Sequence, residues 1–201
     1  AINVLRRNGF EFDNGFEVTV KGNIPINSGT SSSSALLVTW IHFLSLMASK
    51  KPENPLTQFD IAKLTVDAEV LEFGEPGGVM DQYSTALGNI MYLETEPKVQ
   101  AFSYPVSLGK FVLGDSQEPK DTLGILKHVK FGMLDIIEKI KTKDASFDLH
   151  TYPTENAESL KDLFNQDQFN LLKGNLSDRD ILREAKQMFE TNIINRTRIG
   201  E

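Results

Sequence analysis

The chain contains no cysteine, which excludes disulfides, thiolate zinc sites and a cysteine nucleophile. Histidine is scarce too. His42, His128 and His150 lie far apart without metal-ligand spacing, and each reads as a helix or loop residue. No hydrophobic run is long enough to cross a bilayer. The longest, Ala35 to Ala48, carries His42 and Ser45 and reads as a buried helix. Ala1-Ile2-Asn3 leads to Arg6-Arg7 with no apolar segment behind, so no secretory signal is seen. A cytoplasmic protein without membrane attachment is expected. The net charge of −7 and the scatter of the 21 basic residues argue against a nucleic-acid partner. Acidity does not exclude an anionic ligand, because backbone amides and a metal ion can make a phosphate site.

What is present reads as alternating strands and helices. Residues 16–21, Phe-Glu-Val-Thr-Val-Lys, alternate apolar and polar and predict a half-buried strand. Loop residues follow from Gly22 to Thr30. A helix is expected over 32–49, with Leu36, Leu37, Trp40, Phe43, Leu44 and Met47 inward. A second is expected over 57–73, with Ile61, Leu64, Ala68 and Leu71 on one side, ended by Gly74-Glu75-Pro76-Gly77-Gly78. A short helix at 81–87 and a strand at 89–94 complete the first half. Residues 95–109, with Pro97 and Pro105, are the candidate boundary. A strand at 111–115, a helix at 123–141 and a mainly helical remainder over 155–195 follow. The fold class is α+β in two domains, 1–100 and 101–201.

The segment from Pro25 to Ala35, Pro-Ile-Asn-Ser-Gly-Thr-Ser-Ser-Ser-Ser-Ala, is the first to suggest chemistry. Small residues let a polyphosphate approach the backbone, and the unpaired amides at the start of a helix point toward it. Serine hydroxyls there can bind phosphate or complete a magnesium shell. The same serines serve equally well as helix caps. No Walker loop is present.

The second segment is Ala68-Glu69-Val70-Leu71-Glu72-Phe73-Gly74-Glu75-Pro76-Gly77-Gly78-Val79-Met80-Asp81-Gln82. An acid placed after a glycine turn, at the start of a helix, can hold its carboxylate beside a bound hydroxyl. Capping that helix is the competing role for Asp81.

Together the two segments resemble the GHMP kinases, and the second is similar to the motif of the galactokinase branch. The resemblance covers residues 16–94 best. It implies a two-domain fold, ribosomal-protein-S5-like then ferredoxin-like, and transfer of phosphate from Mg-ATP to the hydroxyl of a small-molecule sugar. Under it Pro25, Asn27, Ser28, Gly29, Thr30, Ser31, Ser32, Ser33 and Ser34 form the ATP loop. Ser33 and Glu69 are the magnesium ligands, Asp81 is the catalytic acid and sugar contact, and Gly78 is a sugar-contacting backbone position. Asn27, Thr30 and Ser34 depart from the usual glycine, leucine and alanine. Glu72 and Glu75 match no role and read as solvated surface. Asp115, Ser116 and Thr122 are candidate pocket residues, and Lys120 is read as an exposed surface residue that could also meet a phosphate.

An N-terminal arginine-bearing motif and a C-terminal glycine-rich motif of such kinases are not seen, so the chain resembles an internal part of one. Without them, no turnover is expected of these residues alone. A non-catalytic sugar- and ATP-binding regulator of the same fold, a GHMP kinase for another sugar or alcohol, and a plain α+β module with capping serines are the competing readings.

Overall fold

The computed structural model describes residues 1–26, 28–104, 109–114 and 122–191. These form a mostly helical α+β chain in two compact units, Ala1–Thr122 and Leu123–Glu201. The first holds helices α1 (Ile2–Arg7), α2 (Ser32–Met47), α3 (Gln58–Val66) and α4 (Met80–Leu87), with a π-helical turn at Asp67–Leu71. Strands β1 (Ile90–Glu94) and β2 (Gln100–Tyr104) pair as an antiparallel hairpin, Ile90 opposite Tyr104 and Glu94 opposite Gln100. The second unit holds α5 (Thr122–Lys141), a 3-10 segment (Thr154–Leu163) and α6 (Gln166–Glu190).

Helix α3 is the centre of the first unit because it buries residues on two sides. Ile61 and Leu64, with Ala68 beyond them, pack with Val4 and Leu5 of α1 and Ile41 and Leu44 of α2. Ala62 and Val66, with Val70, pack with Tyr83 of α4 and against Leu93 of β1. Its start is fixed by sequence. The Thr57 hydroxyl accepts from the Asp60 amide, while the Asp60 carboxylate accepts from the Thr57 amide, a reciprocal cap. The Phe59 and Tyr83 rings meet edge to face at 4.9 Å and join α3 to α4.

Three sequence expectations need correction. Residues 16–21 form no strand; Val20 is 62% exposed and none of these residues pairs with another strand among the described residues. Alternation alone cannot make a strand without a partner to take its backbone hydrogen bonds. Phe16 is held instead by its ring, edge to face with Phe12 and Phe43. Residues 111–114 are likewise irregular and exposed, and Asp115, Ser116 and Lys120 lie outside the described residues. Conversely, β2 falls inside the stretch expected to part the domains, where no strand is expected.

The inward faces also differ from expectation. Helix α2 is apolar nearly all round, so spacing does not choose its face. The structure buries Ser34, Ile41, Leu44 and Ser45 and leaves Leu36 and Met47 exposed. In the α3 region Leu71 is 66% exposed and Val70 is buried in its stead. The π-turn causes this. It adds a residue to one helical turn, with the Glu72 amide donating to the Asp67 carbonyl at 2.9 Å, and shifts the inward position by one.

In the second unit Met133, Ile136 and Ile140 of α5 pack with Leu172 and Leu176 of α6. Gly132 permits the close approach; a Cβ there would stand 3.0 Å from Leu171 Cδ2. Arg179 of α6 donates to the carbonyls of Leu149 and Tyr152 and ties the intervening loop to the helix.

Candidate functional site

The serine-rich segment approaches α2 through two left-handed residues, Gly29 (φ 73°) and Ser31 (φ 55°). Glycine accepts that conformation freely, whereas serine does so at a cost. Ser31 is the N-cap of α2, but because it is left-handed its side chain does not cap. The role of cap expected for these serines is therefore not filled by Ser31. Before it, Ser28 and Thr30 are tied inward. Their hydroxyls donate to the Pro25 carbonyl at 2.8 and 3.2 Å and lie 2.9 Å from each other. Asn27 lies outside the described residues. Ser32 and Ser33 open α2, and Ser33 is exposed.

Ser34 points the other way. It is 1% exposed, and its hydroxyl donates to Glu69 Oε2 at 2.8 Å. Glu69 sits in the π-turn, where wide turns recur at functional positions. The same oxygen accepts from Gln82 Nε2 at 2.6 Å. Gln82, on α4, is 4% exposed, and its Oε1 is buried without a hydrogen-bond partner among the described residues. One carboxylate oxygen thus joins the start of α2, the π-turn and α4.

Asp81 precedes Gln82 in the first turn of α4. The N-cap of that helix is Val79, so Asp81 does not cap it. Among the described residues the half-buried Asp81 carboxylate has no hydrogen-bond or ion-pair partner. Gly78 is exposed on the connection that delivers α4, between buried Pro76 and half-buried Val79. Burial and the nearby carboxylates of Asp67 and Asp60 push the Tyr83 hydroxyl above its ordinary pKa.

The structure therefore brings Ser34, Glu69 and Gln82 into contact. It is Ser34, not Ser33, whose hydroxyl reaches Glu69. Gln82 was not among the expected site residues. For Ser34 a signal was available, since it opens a helix that is apolar nearly all round and a buried polar side chain needs a partner. Helix α4 is mixed in polarity, and nothing in its sequence marks Gln82 as buried. Glu72, expected as solvated surface, is paired with Arg7 of α1 through both guanidinium nitrogens. That contact holds the Glu72 carboxyl below its usual range. Among the described residues no group of three or more His, Cys, Asp or Glu could hold a metal ion. Nor is any helix long and apolar enough to cross a membrane.

Residues 1–89 match the family model of the GHMP kinases N terminal domain. This stretch is similar to GHMP kinase N-terminal domains. The chain is 31% identical over 116 residues to a galactokinase of Streptococcus suis, covering 56% of this chain and 28% of that one. It is 36% identical over 96 residues to a galactokinase of Thermococcus kodakarensis, covering 46% and 26%. The chain thus spans little more than a quarter of the length of these curated relatives. A crystal structure of Lactococcus lactis galactokinase complexed with galactose shares the fold at a TM-score of 0.73 and 19% identity, covering 94% of this chain and 50% of that one. The family model stops at residue 89, while the fold match reaches 94% of the chain.

Proposed function

We propose that this chain belongs to an ATP-dependent kinase that phosphorylates a sugar hydroxyl, galactokinase-like, with a two-domain GHMP fold. The single observation that carries the reading is the junction at Glu69. It ties the helix that follows the serine loop to the helix that bears Asp81.

In this reading the amides at the start of α2 and the residues from Pro25 to Ser33, Asn27 included, receive the ATP phosphates. Buried Ser34, expected in that loop, turns to Glu69 instead. Ser33 and Glu69 would hold the magnesium ion. The donor set fits that ion, since magnesium takes hard oxygens, one or two carboxylates and the substrate's own phosphates. When bound, the ion neutralises charge on the transferring phosphoryl group. Asp81, half-buried and without a side-chain partner among the described residues, would accept or orient the proton of a sugar hydroxyl held near Gly78. Phosphoryl transfer depends chiefly on positioning, so a weak base suffices.

The test is ADP release against a panel of hexoses, galactose included, with Asp81→Asn as control, beside calorimetric ATP binding with and without magnesium. Sugar-dependent release that disappears in Asp81→Asn is the expected result. Release unchanged in that variant removes Asp81 from catalysis. Magnesium-dependent ATP binding with no release for any sugar favours the non-catalytic regulator.

A further inference from the structure

Resting on the reading of Glu69 as a cation ligand, we infer that Ser34 and Gln82 leave Glu69 one usable oxygen and thereby make the site select magnesium over calcium. The carboxylate offers about four lone-pair positions, two on each oxygen. Oε2 accepts from the Ser34 hydroxyl at 2.8 Å and from Gln82 Nε2 at 2.6 Å, so both of its positions are taken. Oε1 is the oxygen left for a metal.

The arrangement is held in place rather than incidental. Turning the Gln82 amide over would put its carbonyl oxygen against the carboxylate, so Nε2 must face Glu69. Gln82 Oε1 is thereby left buried with no partner among the described residues, a costly placement that the contact to Glu69 sustains. Ser34 completes the pair from the first turn of α2, where it is fully enclosed. An alanine there would leave one position on Oε2 open.

Metal choice follows from the oxygen count. Calcium gathers roughly six to eight oxygens and often takes both from one carboxylate, whereas magnesium keeps a tight octahedron and accepts a single oxygen. A carboxylate with one oxygen occupied still gives magnesium its single oxygen but denies calcium the two-oxygen mode. Ser34 and Gln82 are thus positioning residues that set specificity through Glu69.

The experiment measures ADP affinity of the full chain by calorimetry in magnesium chloride and in calcium chloride. Wild type is compared with Ser34→Ala and Gln82→Met, and thermal melts identify which variants fold. The expected result is tighter ADP binding with magnesium than with calcium in wild type, and a narrowing of that preference by roughly fivefold in either folded variant. If one variant does not fold, the other carries the comparison. An unchanged preference in the folded variants, with magnesium-dependent binding intact, overturns this inference alone. ADP binding that ignores magnesium in wild type overturns the reading of Glu69 as a cation ligand, and this inference with it.

Discussion

The Ser34 hydroxyl and the Glu69 carboxylate meet at 2.8 Å although 35 positions separate them in the chain. Their contact joins two elements that sequence periodicity treats separately, and Gln82 makes it a three-way junction. Glu69 therefore has a structural duty apart from any ligand.

Replacing Glu69 tests that duty. Glu69→Ala strands the Ser34 and Gln82 donors in a buried setting and is expected to cost about 1–3 kcal/mol. Glu69→Gln keeps a carbonyl acceptor and is expected to cost less. Urea unfolding of both variants checks the order, and equal stability in the two would show that the junction contributes nothing.

The cap of α3 gives a pH-dependent prediction. Hydrogen bonds from the Thr57 hydroxyl and amide hold the Asp60 carboxyl below its ordinary range. A depressed carboxyl stabilises the fold fully above its unfolded pKa, and that contribution is lost as pH falls through the folded value. Thr57→Ala should cost about 1 kcal/mol at neutral pH. The gap to wild type should shrink below about pH 4, where the carboxyl protonates. Denaturant melts across pH are the measurement, and a gap that widens toward acid contradicts the assignment.

Helix α2 allows a paired test of its inward face. Ile41 is fully buried, so Ile41→Ala should cost about 2–5 kcal/mol. Leu36 is 50% exposed, so Leu36→Ala should fall within about 0.5 kcal/mol of wild type. The reverse order in chemical denaturation would restore the face expected from spacing.

That pair also marks how far the sequence was legible. The existence of α2, α3 and α5 followed from apolar periodicity, and the break after Phe73 followed from Gly74 to Gly78. The face of α2 did not follow, because a helix apolar on all sides carries no directional signal. The strand expected at 16–21 failed for a different reason. Pairing is a property of two segments, and alternation in one says nothing about the other. At the site, the serine loop and the acidic segment were recognisable as motifs. Ser34 and Gln82 acquired their meaning only when packing brought them to one carboxylate oxygen.

Gly74 offers a test of the turn beyond the π-helical residues. It stands at φ 62°, and a Cβ there would meet nothing within 4 Å. The cost of Gly74→Ala is therefore backbone strain alone, about 1 kcal/mol. Gly74→Asn should be milder, since asparagine tolerates the left-handed region. Thermal unfolding of both variants checks this, and a larger loss in Gly74→Asn would point to a steric cause that the open surroundings do not provide.

The π-turn makes chain length a constraint in its own right at Asp67–Leu71. Deleting one residue there would let an ordinary α-helix close, rotating the downstream residues by about 100° relative to α3. Glu69, Val70 and Leu71 could not all keep their present directions, although every remaining side chain would be unchanged. Substitutions in this stretch can be absorbed one group at a time. A change in residue count has no such local remedy.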